Sequence, residues 1–255
     1  MTKIAICGAL GRMGKTIAAM IDEDPALEFI GGVDVGEGTL FGKKVVSSEN
    51  IDDFLAEEKP DVLIDFTIAN AAVKNIRAAS KAGVAVVVGT TGFSEEQKEE
   101  NRKNIEGTIP AVISTNFSVG VNIFWKLVRE AAKQLSDYDI EVTEAHHHFK
   151  KDAPSGTAKT ILEIIKEETG DREEMYGREG MVGARGKEIG VHVIRGGDIV
   201  GDHSVMFAGN NEVIELSHRA YDRAVFAHGV IRSAKWIAGK EPGIYTMDDV
   251  LGLIR

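Results

Sequence analysis

Cysteine is almost absent from this chain of 255 residues. The single one, Cys7, excludes an intrachain disulfide framework and fits a reducing compartment. A basic excess is missing too: 30 Lys and Arg stand against 40 Asp and Glu, a formal net charge of −10. That balance argues against general binding of nucleic acid or of acidic membrane surfaces. No apolar run approaches the roughly 20 residues that span a bilayer. The opening MTKIAICGALGRMG enters a strand-like pattern without the apolar core and cleavage site of a secretory signal. Internal repeats and low-complexity segments are also lacking. We expect a soluble cytoplasmic protein in which any anionic ligand is held by a local cationic patch.

What is present is ordinary for a globular protein, 43% hydrophobic and 27% charged, at a length that allows one large domain or two modest ones. KIAIC (3–7), LEFIGGVD (27–34), DVLIDF (61–66), VAVVV (84–88) and PAVIS (110–114) are short and rich in β-branched residues, as strands buried on both faces are. Helix-spaced apolar residues fill 11–23, 51–58, 69–82 and 94–105. This alternation predicts an α/β fold with a Rossmann-type doubly wound parallel sheet. After Asn116 the pattern changes to helix (119–135), strand (138–146), helix (155–169) and a charged, glycine-rich stretch (171–190) that reads as a long loop. Three runs follow, VHVIR (191–195), DHSVMFA (202–208) and EVIELSHRA (212–220), separated by GGD and GNN turns. They predict a smaller α+β domain with a mostly antiparallel sheet. A last helix, 222–239, returns the chain to the first domain, so we expect one domain of 1–117 completed by 228–255 and a second of 118–227.

GALGRMG (8–14) lies between the first strand and a helix. Such glycines let the backbone come close to a pyrophosphate, and the helix start offers free N–H groups and partial positive charge. Asp34 ends the second strand about 20 residues later, where a ribose-binding carboxylate belongs. A carboxylate there accepts from a ribose diol and repels a 2′-phosphate, and Val35 offers no compensating charge, which favours NADH. Arg12, Lys43 and Lys44, the last two read as loop residues, leave NADPH open. DFT (65–67), GTTG (89–92) and STNFSVG (114–120) follow the third, fourth and fifth strands and fall at the same ligand-binding edge.

EAHHHFKKDAPSGTA (144–158) is the other chemical stretch. Continued as a strand, it would point His146 and His148 one way and His147 the other. Histidines two apart can bind zinc, but a third ligand is not evident, and Lys150 and Lys151 would add charge beside a cation. An anion suits the stretch better. His146, His147, Lys150 and Lys151 form a cationic group, and DAPSGT (152–157) reads as a helix start whose Gly156 and Thr157 amides suit a carboxylate. Ser155 is the expected cap. Histidine, or a lysine among other cations, can hold and give a proton near neutrality, and Glu144 could orient one imidazole. A nucleotide-sensing regulator without chemistry would need neither a proton donor nor an anion cradle.

These segments, together with NFSVGVN, RGGDIVGDHSVMFAG and RAVFAHGVIRSAKW, resemble the 4-hydroxy-tetrahydrodipicolinate reductase (dihydrodipicolinate reductase) family from the first strand to the last helix. The resemblance implies reduction of a small cyclic dicarboxylate, 4-hydroxy-tetrahydrodipicolinate, by NADH or NADPH with loss of water, in lysine biosynthesis through diaminopimelate. It implies proton handling by His146 and Lys150 and substrate contacts from His147, Gly156 and Thr157; the residues themselves give no reason to expect a metal. It implies nucleotide contacts from Gly8, Ala9, Leu10, Gly11, Arg12, Met13, Asp34, Gly89, Thr90, Thr91, Ser114, Thr115, Asn116 and Phe117. It further implies a homotetramer built through the second domain. Some members of the family carry an arginine where this chain has Val35.

Overall fold

The β-branched runs become strands and the amphipathic stretches become helices in a computed structural model that describes residues 1–253. In order these are β1 (Thr2–Cys7), α1 (Arg12–Asp22), β2 (Leu27–Asp34), β3 (Gly38–Leu40), β4 (Lys43–Ser47), α2 (Ile51–Glu58) and β5 (Val62–Asp65). Then come α3 (Ala69–Ala82), β6 (Ala85–Val88), α4 (Glu95–Ile105), β7 (Pro110–Ile113), α5 (Val119–Gln134), β8 (Asp139–His146) and α6 (Gly156–Thr169). The chain closes with β9 (Glu174–Tyr176), β10 (Ile189–Arg195), β11 (Gly201–Ala208), β12 (Val213–Ala220), α7 (Ala224–Ile237), β13 (Gly243–Tyr245) and α8 (Met247–Leu251). It divides into two compact units, Met1–Val119 with the segment that begins at Ala224, and Gly120–Arg223.

The first unit is built on an eight-stranded sheet of order β13-β7-β6-β5-β1-β2-β4-β3, parallel except for the β3–β4 pair. Alternation along β1 explains why helices cover both faces. Ile4 and Ile6 join one apolar cluster with residues of α1 and α7, while Ala5 and Cys7 join another with residues of α2, α3 and α4. Each isoleucine so buried stabilises the unit by roughly 1.5–3 kcal/mol. Strand order reverses at β1, which has β2 on one side and β5 on the other. The crevice for a ligand therefore opens at the carboxyl ends of these strands.

The second unit holds a five-stranded sheet of order β12-β11-β8-β10-β9. Phe124, Val128 and Ala132 of α5, with Ile161, Leu162 and Ile165 of α6, cover Ile140, Val142, Val191, Val205 and Phe207 on one face. The sheet is mixed: β10 runs parallel to β8 and to β9, and β11 runs antiparallel to β8 and β12.

Two local expectations change here. The 191–195 and 202–208 runs do not form a hairpin, because β8 sits between them. Their connection passes over the end of β8, where the Gly196 N–H donates to the His146 carbonyl (2.9 Å) and the His148 N–H to that of Gly197 (3.2 Å). Gly-Gly-Asp is hairpin chemistry, but turn residues do not encode which strand lies between their flanks. In addition, the stretch read as a loop (171–190) contains β9, whose three residues are too few to show a period.

Candidate active site

Every residue expected to touch a dinucleotide falls at one edge of the first sheet. Gly8 to Met13 follow β1, Asp34 ends β2, Gly89 to Thr91 follow β6, and Ser114 to Phe117 follow β7. Gly8 has φ +78°, and a Cβ there would lie 2.7 Å from the Phe66 carbonyl oxygen, so the turn requires glycine. Gly11 caps α1 without a side-chain cap, and the first helical turn carries no acidic residue. An anion therefore meets backbone N–H groups and the positive helix end rather than a competing side chain. The Asp34 carboxylate accepts from the N–H of Leu10 (2.8 Å) and of Val35 (2.7 Å). It is thus tied to the turn while each oxygen keeps a lone pair for a ribose hydroxyl. These features fit a dinucleotide.

The three basic residues left open for a 2′-phosphate separate. Lys43 and Lys44 lie on β4 rather than in a loop, and Asp34 registers with Ser47, three residues beyond Lys44. At about 3.3 Å per residue the lysine backbones are some 10 Å or more behind the ligand edge. Lys43 also pairs with Glu28 at 3.8 Å. Arg12 alone stays at this edge, as the first residue of α1.

Beneath this edge, buried Asp65 ties the loops together. Its Oδ1 accepts from the Thr67 N–H (3.0 Å), the Thr67 hydroxyl (2.8 Å) and the Thr90 hydroxyl (2.7 Å), and its Oδ2 from Asn75 Nδ2 (2.7 Å). Phe66 packs against Phe117 with ring centroids 6.0 Å apart. Gly229 of α7 backs the same loop, for a Cβ there would lie 1.6 Å from the Phe117 carbonyl oxygen.

In the second unit the chemistry gathers around Glu144, whose side chain is fully buried. Its Oε2 meets His146 Nδ1 at 2.6 Å, and its Oε1 accepts the Ser155 N–H at 2.9 Å. Arg195, level with His146 in the β8–β10 register, closes a fork on both oxygens at 2.8 and 2.9 Å. Burial by itself would raise the Glu144 pKa, but hydrogen bonds from His146, Arg195 and the Ser155 N–H outweigh it and hold the carboxyl at about 2. An ionised carboxylate only accepts, so Nδ1 of His146 carries a proton and Nε2 is the nitrogen left for exchange.

The neighbours follow from the chain path. Ser155 caps α6, its hydroxyl accepting from the Ala158 N–H (3.2 Å) and bonding His203 Nε2 (3.0 Å). His203 is buried and stands edge-on to His146 at 5.1 Å between centroids. Burial, followed by the charge of His146, pushes its pKa down to about 3 and keeps it neutral. Lys150 pairs with Asp152 at 2.9 Å. Gly156 opens α6 with nothing within 4 Å of where a Cβ would stand, and Thr157 follows in its first turn, half-buried.

His146, the Ser155–Thr157 helix start, Lys150 and Asp152 are thus joined through Glu144 and Arg195. His147 is half-buried beside them. His148 does not share a strand face with His146, since β8 ends at His146 and His148 turns to the Gly197 carbonyl at 2.7 Å. Among the described residues no group of three His, Cys, Asp or Glu is placed to hold a metal. The sequence placed Asp65 at the ligand edge without a role for its carboxylate, and it gave no role to Arg195, His203 or Gly229. The available signals were an arginine ending an apolar strand before Gly-Gly and a glycine inside the helical run of 222–239.

The family models for dihydrodipicolinate reductase match this chain over nearly all of its length, the N-terminal one at residues 2–117 and the C-terminal one at 120–251. The chain belongs to the dihydrodipicolinate reductase family. A relative from Methanoculleus marisnigri, named 4-hydroxy-tetrahydrodipicolinate reductase, is 67% identical over 253 residues, covering 99% of this chain and 100% of that protein. One of the same name from Methanocaldococcus jannaschii is 51% identical, covering 99% and 98%. The fold is shared with a dipicolinate-bound dihydrodipicolinate reductase from Paenisporosarcina sp. TG-14, at a TM-score of 0.79 and 24% identity over 100% of both chains. Within this reductase family, the Glu144-centred group here comes entirely from the second unit.

Proposed function

We propose that this chain reduces 4-hydroxy-tetrahydrodipicolinate to tetrahydrodipicolinate with loss of water, in lysine biosynthesis through diaminopimelate. The observation that carries this reading is the Glu144-centred assembly, which sets an oriented imidazole and a lysine beside an open helix start in a member of this reductase family. The first unit binds the nicotinamide dinucleotide through the residues of its carboxyl edge. The second binds substrate and carries the oligomer contacts. When bound, the dinucleotide supplies a hydride.

The chain's own residues do the rest. Gly156 and Thr157 take a substrate carboxylate on the N–H groups of the α6 start and on the Thr157 hydroxyl, with His147 beside them. His146, fixed by Glu144, exchanges a proton at Nε2. Lys150 donates a proton where electron density arrives on the substrate. Asp34 followed by Val35 favours NADH, and Arg12 is the cation that keeps NADPH usable. A homotetramer is supported by the face of the second sheet that α5 and α6 leave bare, where Glu141, Thr143, His192, Ser204, Met206 and Glu215 line a depression of about 480 Å³.

Calorimetry with pyridine-2,6-dicarboxylate tests the substrate site. Thr157→Val is expected to weaken its binding while NADH affinity is retained. Unchanged dicarboxylate affinity would contradict the assignment. Light scattering that finds a monomer would contradict the tetramer.

A further inference from the structure

The proton handlers and the carboxylate-binding helix start are separate jobs in the reading above, on which this inference rests, yet one side chain reaches the supports of both. We propose that Arg195 is a positioning residue that locks His146, Lys150 and the start of α6 into one rigid group. Its Nη1 and Nη2 engage the two Glu144 oxygens. Those same oxygens separately hold the His146 ring and the Ser155 N–H. Its Nη2 also donates to the Asp152 carbonyl at 2.7 Å, and the Asp152 carboxylate holds Lys150. The next residue, Gly196, donates its N–H to the His146 carbonyl.

The geometry calls for arginine in particular. A planar guanidinium can serve two carboxylate oxygens and a carbonyl at once, whereas an ammonium is a point charge on a flexible stem. Glu144 is fully buried, so without the fork its carboxylate would face His146 and Ser155 with no permanent cation in contact. The ring and the helix start would then lose their common reference. A displacement of about 1 Å at a reacting group costs as much as 10²-fold in rate.

The test uses the full-length enzyme and its Arg195→Met and Arg195→Lys variants. It measures kcat and KM with NADH and freshly generated 4-hydroxy-tetrahydrodipicolinate, and Kd for pyridine-2,6-dicarboxylate. NADH titration without dicarboxylate reports an intact first unit. For Arg195→Met we expect kcat to fall and the dicarboxylate Kd to rise together, each by roughly 10- to 100-fold, with NADH affinity retained. Arg195→Lys should restore part of both. His146→Ala should lower kcat chiefly, and Thr157→Val should raise Kd chiefly, so the joint loss is the signature of positioning.

Arg195→Met that keeps both constants within about two-fold of the parent, or loses only thermal stability, overturns the proposal. If Arg195→Met does not fold, Arg195→Lys decides: parental kcat and Kd overturn it, and a joint loss supports it. A parent enzyme with neither turnover nor dicarboxylate binding overturns the functional reading itself, which is a different outcome.

Discussion

Glu144→Gln changes one carboxylate oxygen to an NH₂ group and removes a buried charge. Four donors converge on Glu144: two from Arg195 at 2.8 and 2.9 Å, His146 Nδ1 at 2.6 Å and the Ser155 N–H at 2.9 Å. With the amide oxygen in the Oε1 place, the bonds from Ser155 and one Arg195 nitrogen survive, and the NH₂ opposes the other nitrogen and meets His146 Nδ1 only if that imidazole switches tautomer. The reverse orientation keeps His146 and loses Ser155. Two charge-assisted bonds go either way, at about 1.5–3 kcal/mol each. The sum, about 3–6 kcal/mol, brackets the loss of about 3–5 kcal/mol that breaking a buried ion pair costs. At about 2–4 °C per kcal/mol for a chain of this size, Tm falls by about 6–20 °C. Calorimetry measures this, and steady-state kinetics should show turnover reduced with NADH affinity kept. A Tm within about 2 °C of the parent, with parental turnover, would falsify the view that this carboxylate organises the site.

Gly229→Ala sets a methyl 1.6 Å from the Phe117 carbonyl oxygen. Backbone must move on one side, at about 1–3 kcal/mol or more, and the loop of Ser114 to Phe117 shifts with it. NADH affinity, read by fluorescence titration, should fall, and parental affinity and Tm would refute the contact. His203→Gln keeps a partner for Ser155 but removes a titration. The folded-state pKa of His203 is about 3, below its ordinary 6.5, so the unfolded chain binds the extra proton. Its contribution to stability is therefore complete above pH 6.5 and is lost as pH falls towards 3. Between pH 6.5, where the unfolded histidine is half protonated, and pH 4.5 the loss amounts to about 2 kcal/mol. Urea unfolding across that range should be flatter in the variant by this amount, and parallel pH dependences would contradict it.

The dinucleotide half was legible because its signals are local. Glycine spacing, the acidic residue ending the second strand and turn residues after each parallel strand all lie within single βα units. The helix start at Ser155 was legible for the same reason, since capping reaches only a few residues along the chain. Arg195 was not legible. It meets Glu144 across 51 residues because β10 comes to lie parallel beside β8, and no periodicity records that pairing. The wrongly expected hairpin hid it further, for a hairpin would have placed β11 against β10 instead. Gly229 was missed, and Asp65 was placed at the ligand edge without a role, because a glycine in a helix and an aspartate at a strand end signify little until the backbone or hydroxyl they meet is known.

The most direct measurement is the oxidation of NADH and of NADPH by this chain in the presence of freshly generated 4-hydroxy-tetrahydrodipicolinate. Turnover should depend on the dicarboxylate and be faster with NADH at low cofactor concentration. Absence of turnover with either dinucleotide, from protein that binds NADH normally, would contradict it.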